Sequence, residues 1–149
     1  MLLGSGATQF LKHRKKIQKE LKKIGYPDVI IMEETDDKLT DKSLDEKFGR
    51  ILNQYDIKLF IAIFHKGARM DGVVFEIGWL CGYYRSSERI AQRLRILEEK
   101  DYNWDGTTSY IKDLFPFTPR DFFDDSQPHK KAQKKIHKFV LNQPELTMD

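Results

Sequence analysis

The sequence predicts an α/β three-layer sandwich, a single domain over residues 1–149 built on a mostly parallel sheet of about five strands. Two observations point there. Short apolar runs alternate along the chain with stretches in which apolar residues recur at helical spacing, the pattern of strand–helix–strand units joined by right-handed crossovers. One run, "IKLFIAIF" at 57–64, is long and nearly unbroken, as suits a central strand covered on both faces. With 40% hydrophobic residues, a chain of 149 can bury one core without metals or disulfides.

Each element follows in order. "MLL" is a short apolar strand and "GSGAT" a turn-like loop, after which Phe10, Leu11, Ile17, Leu21 and Ile24 mark one face of a helix. Gly25 stands at its end and Pro27 prevents continuation, so "DVIIMEE" reads as a second strand ending in two acids. The polar "ETDDKLTDK" is a loop. Ser43 and Glu46 then have the spacing of a capping box ahead of Leu44, Phe48, Ile51 and Leu52, on a helix that should end near Tyr55.

After the central strand, "HKGARMDG" is a loop at its carboxyl edge. From Val73 to Tyr84 nearly every residue is apolar, small or aromatic, which predicts a helix packed on most sides, with Gly78 and Gly82 giving a smooth stripe toward the sheet. "RIAQRLRIL" reads as a helix end followed by a strand and "TTSYIKDLF" as a short capped helix. "FPFTPRDFF", with two prolines, is expected to be irregular. Ala132, Ile136, Phe139 and Val140 define a terminal amphipathic helix from Lys130 to Leu141, and "NQPELTMD" is expected to fray.

Composition bounds the setting. The sole cysteine, Cys81, cannot form an internal disulfide and should be a small buried hydrophobe, which fits a reducing, cytoplasmic compartment. No apolar stretch has the length of a membrane span and no signal peptide is evident, so no membrane partner is expected. Net charge is +3, from 26 basic and 23 acidic residues. The basic clusters "KHRKKIQKELKK" and "HKKAQKKIHK" also carry apolar residues at helical spacing. They are therefore expected to be the wet sides of surface helices, and nucleic acid is not an expected partner. His13, His65, His129 and His137 show no metal-ligand spacing, so no metal is expected.

Ligands of parallel sheets bind outside the carboxyl ends of the strands, where "GSGATQ", "EETDD" and "HKGARMDG" converge. Gly4, Ser5, Gly6 and Gln9 could present backbone N–H groups and a helix N-terminus to a phosphate or ribose hydroxyl; equally, Ser5 or Thr8 could cap the helix. Glu33 and Glu34 could accept from ribose hydroxyls or simply face solvent. Lys66 and Arg69 could meet a phosphate. Within "MDGVVFEIGW", Glu76 is an ionisable group in apolar company and should be paired, capped or used. Placed in the first turn of its helix, it would be balanced between the helix dipole, favouring the anion, and apolar surroundings, favouring the acid. It could serve as a nucleophile or as a cap. Trp79, a turn beyond, could stack on a base or belong to the core or a subunit contact.

The stretch "ARMDGVVFEIGWLCG", following "LFIAIF", resembles the segment of nucleoside 2-deoxyribosyltransferases in which an Asp and a Gly precede a Glu-hydrophobic-Gly on a helix. It is also similar to bacterial TIR-like nucleotide-binding proteins, whose pattern runs from an Arg through an apolar stretch to Phe-Glu-hydrophobic-Gly. Both belong to a wider group of flavodoxin-like (Rossmannoid) folds acting on N-glycosidic bonds. The resemblance covers residues 1 to about 90. It departs from the transferases at Val73, where they carry Thr or Ser. It implies Glu76 as catalytic carboxylate and Asp71, with Gly72 beside it, as the group holding sugar or base. The implied activity is cleavage or transfer at the N-glycosidic bond of a nucleoside, nucleotide or NAD. NAD would then be a substrate, and no cofactor is expected. The alternative is a non-catalytic nucleotide-sensing module. An apolar helix with an exposed aromatic would also fit a homodimer.

Overall fold

A computed structural model describes residues 1–35, 42–124 and 128–141. Four parallel strands form one sheet in the order β1 (Leu2–Gly4), β2 (Phe60–Phe64), β3 (Leu94–Glu99), β4 (Arg120–Phe123). The central β2 is buried at all five positions, as its unbroken apolar run requires.

Along each strand alternate residues supply the two cores. Leu3, Phe60, Ala62, Phe64, Leu94 and Ile96 face α2 (Leu44–Gln54), α3 (Asp71–Tyr84) and α4 (Ser87–Arg93). Leu2, Ile61, Ile63, Leu97 and Phe123 face α1 (Thr8–Lys23) and α5 (Pro128–Leu141). The result is the α/β/α sandwich the periodicity implies.

The second expected strand is reduced to one parallel bridge, Ile31 to Leu2, with Leu2 N donating to Ile30 O at 2.9 Å. Met32–Glu34 then turns into a 3₁₀ helix, so among the described residues the sheet has four strands where about five were expected. The bridge nevertheless lies on β1's outer edge, which puts Glu33 and Glu34 beside the first loop.

Two further corrections concern the C-terminal half. "FPFTPRDFF" was expected to be irregular, yet Arg120–Phe123 pairs with Ile96–Glu99 as edge strand β4. The strand starts directly after Pro119, a tolerated place for proline because the imino nitrogen falls before the ladder. "TTSYIKDLF" lies in a 3₁₀ segment, Gly106–Leu114. Residues 36–41 of the polar loop and the expected fraying of 142–149 lie outside the described residues.

The helix boundaries follow local chemistry. Ser43 Oγ accepts from Glu46 N at 3.4 Å, the first half of the expected capping box, but Glu46 reaches back to Lys42 N in place of Ser43 N. α3 stops where Arg85 takes a left-handed conformation, φ 53°, with its N–H bonded to Cys81 O. Gly78 and Gly82 do not face the sheet. A Cβ at either would meet nothing within 4 Å, so the small-residue stripe lies outward, and Val73, Ile77 and Leu80 make the buried face. Cys81 is half-buried rather than fully enclosed, and burial raises its thiol pKa.

Candidate functional site

The carboxyl end of β1 is crossed by a side chain from α1. Arg14, 2% exposed, lies over Gly4, where a Cβ would stand 2.8 Å from its Cδ and 2.9 Å from its Nε. Only glycine leaves room for that path, so the first glycine of "GSG" is required by an arginine ten residues on. Arg14 Nη2 donates to Ser5 O at 2.9 Å, and the guanidinium meets Glu33 end-on, Nη1 to Oε2 at 3.0 Å and Nη2 to Oε1. Such a two-point pair fixes orientation as well as charge. Glu33 Oε1 also lies 3.6 Å from where a Cβ of Gly6 would be.

Glu76 approaches the same place from the other layer, where α3 packs against β1. It is 5% exposed, and its Oε2 is buried without a hydrogen-bond partner. Its pKa is raised to about 8, first by loss of solvation and then by the negative charge of Glu33, with Arg14 acting in the opposite direction. The expectation that Glu76 sits in the first helical turn is corrected. α3 begins at Asp71, so Glu76 occupies the second turn, where its own N–H is committed within the helix and the dipole is weaker. Desolvation wins, and the free site holds a neutral carboxyl at pH 7.

Ser5, Gly6, Arg14, Glu33 and Glu76 therefore form one cluster. Ser5 is buried, and its hydroxyl accepts from Ala7 N at 3.4 Å. Neither Ser5 nor Thr8 caps α1, whose N-cap position is Ala7 with no side-chain hydrogen bond. Gln9 is exposed in the first turn.

Other expected residues lie apart. Asp71 is five positions before Glu76, about 140° around the helix at 100° per residue, so the two carboxyls do not share a face. Asp71 is exposed, accepts from Thr107 at 2.9 Å and Arg69 at 3.1 Å, and has its pKa lowered by both. Arg69, Lys66 and Gly72 are exposed as well. Of the two acids after Ile31, Glu33 rather than Glu34 belongs to the cluster; Glu34 is held by Gln18 at 2.8 Å and Lys15 at 3.4 Å on α1. Trp79 lies edge-on to Phe48 with ring centres 5.5 Å apart, stacks on Tyr83 and sits against Gly49, which fits helix packing better than base stacking.

Two polar groupings at the same sheet edge escape local sequence reading. His13 Nδ1 and His65 Nε2 lie 2.8 Å apart, both rings buried, with Glu99 Oε2 3.7 Å from His65 Nδ1 and accepting from Lys66 N at 2.8 Å. Phe10 stacks on His65 at 4.9 Å. Glu98, 3% exposed, receives Arg120 Nε and Nη2 and Trp104 Nε1, while the Arg120 guanidinium lies 3.6 Å from the Phe115 ring centre. The His13–His65 and Arg120–Glu98 contacts join residues 52 and 22 positions apart, so no short motif announces either pairing. Among the described residues no cluster of His, Cys, Asp or Glu is placed to hold a metal.

Fold and site together define a parallel α/β domain with a desolvated acid and, at the carboxyl edge of its sheet, a buried arginine paired with a partly exposed glutamate. Compared with family models, with curated proteins and with solved structures, the chain matches none. No helix among the described residues is long and apolar enough to cross a membrane.

Proposed function

We propose that the protein cleaves or transfers at the N-glycosidic bond of a nucleoside, nucleotide or NAD, with Glu76 as the carboxylate that meets the sugar, on a flavodoxin-like domain. One observation carries the proposal: a carboxyl oxygen buried at the sheet's carboxyl edge with no partner. An unsatisfied buried polar atom costs about 1–3 kcal/mol, a cost characteristic of sites whose partner is a ligand.

Breaking an N-glycosidic bond develops positive charge on the sugar, and an anionic carboxylate beside it stabilises that charge or bonds to the carbon. The raised pKa is compatible with this role. A cation at the sugar lowers the carboxyl's pKa, so the anion is favoured most where the transition state needs it. Glu33, oriented by Arg14, is available to accept from sugar hydroxyls. Asp71 is held ionised by Thr107 and Arg69 and is thus a poor proton donor. A base that departs without a proton, as nicotinamide does from NAD, suits this site better than a neutral purine or pyrimidine.

The second reading, a nucleotide-binding module without turnover, is favoured by the neutral state of Glu76 at pH 7, since a carboxylic acid donates a hydrogen bond as readily as it accepts one. Incubation with nucleosides, nucleotides and NAD, followed by chromatography for free base, separates the two. Release that disappears in Glu76→Gln supports the enzyme. Undiminished release in that variant defeats the role of Glu76, and saturable ligand binding without release supports the sensing module.

A further inference from the structure

We propose that the joint outer face of α1 and α5 docks duplex nucleic acid through its phosphate backbone, without sequence preference. In the sequence the two basic clusters are about a hundred residues apart, and each resembles an ordinary solvated helix face. The fold removes that separation. α1 and α5 pack side by side on the same side of the sheet, their apolar faces sharing Ile17, Leu21, Ala132 and Ile136 in one core.

The charge that results is large. α1 carries six lysines and one acid, Glu20, outside the buried Arg14 that Glu33 pairs, while α5 carries five lysines and no acid. The outer face therefore holds a net charge of +10 in a chain of net +3, leaving −7 for the rest. The nearby acids lie on the flanks and pair locally: Glu20 with Lys23, Glu34 with Lys15, Asp121 with Lys135 and Asp124 with Lys131. No ion pair among the described residues ties Lys12, Lys16 and Lys19 on one helix or Lys130, Lys134 and Lys138 on the other.

Geometry selects the occupant. Lys12, Lys16, Lys19 and Lys23 follow i, i+4, i+7 and i+11 spacing opposite the buried face, and Lys130, Lys134 and Lys138, at i, i+4 and i+8, line the outer side of α5. At 1.5 Å per residue the rows run about 17 and 12 Å, and packed helices lie about 10 Å apart. A duplex advancing 3.4 Å per base pair offers roughly four or five pairs over that length.

No large apolar side chain is exposed within the rows: Ile24 and Leu141 lie at the far ends of the two helices, and one aromatic, Phe122 of β4, borders Lys131, Lys134 and Lys135, so the face lacks the apolar wedge of a membrane-surface helix and the succession of aromatics of a single-strand binder. Lysines without base-reading arginines contact phosphate and confer little sequence choice.

The test uses the full chain with a fluorescent 24-base-pair duplex of arbitrary sequence, followed by anisotropy from 50 to 200 mM salt. Five or so phosphate contacts predict a log–log slope between about −4 and −6, hence roughly a thousandfold weaker binding across that range. Reversing Lys16, Lys19, Lys130 and Lys134 to Glu should abolish binding while circular dichroism is unchanged. Should that variant fail to fold, Lys→Gln at the same four positions should still flatten the slope by about 3 to 4. Absence of binding at 50 mM salt, tighter binding of the matching single strand, or capture by phosphatidylserine vesicles with none of the duplex would overturn the proposal.

Discussion

Replacing Glu76 by Gln should stabilise the protein, and by an amount that grows with pH. The native carboxyl has a pKa of about 8, against about 4.5 in an unfolded chain. A raised folded-state pKa means that the native state holds its proton more tightly. Its stabilising contribution is complete below pH 4.5, declines as pH rises and is gone above pH 8. At 1.36 kcal/mol per pH unit the loss reaches about 3 kcal/mol at pH 7 and about 5 kcal/mol at pH 9, an upper range that water entry on ionisation would reduce. Glutamine reproduces the neutral shape and cannot ionise. Urea unfolding of both proteins at pH 5, 7 and 9 should thus give a gap that widens in favour of Gln at each step. Parallel stability curves from pH 5 to 9 would refute the assignment of a desolvated, proton-holding carboxyl, whatever the enzymatic outcome.

Three further predictions concern the same cluster. If Glu76 acts as an anion, kcat/KM for base release should climb with pH and level off above about 8, since that parameter reports the free enzyme; a profile falling through this range would reverse the role to that of an acid. Arg14→Met removes the cation that opposes the rise in Glu76's pKa, so the plateau should move to higher pH. It also leaves Glu33 unpaired, and with Glu33 partly exposed the cost should be about 2–4 kcal/mol, read from denaturant midpoints. Gly4→Ala places a Cβ 2.8 Å from Arg14 Cδ, and since Arg14 is enclosed, a loss of about 1–3 kcal/mol with weakened ligand binding is expected, measurable by thermal unfolding and titration calorimetry.

How much of this was legible depends on how local the cause is. The central strand could be read because a strand buried on both faces needs an unbroken apolar run, and Phe60–Phe64 supplies one. The α2 start could be read because Ser43 and Glu46 act across three residues. β4 was missed because an edge strand of four residues, half-exposed and preceded by two prolines, has no periodicity of its own and owes its conformation to hydrogen bonds from β3. The second strand was overestimated for the opposite reason: "DVIIMEE" has the composition of a strand, but the chain turns into a 3₁₀ helix after a single bridge.

For the site, the sequence by itself determined that Glu76 would be an acid in apolar company, that a glycine loop would precede α1, and that acids would follow Ile31. These are properties of neighbours along the chain. Only the tertiary structure decided which acid faces which loop, that Arg14 passes over Gly4 to hold Glu33, that Asp71 points away, and that two distant lysine clusters share one surface. Those outcomes rest on Coulomb forces, desolvation and close contact, which depend on distance through space and leave no mark on spacing along the chain.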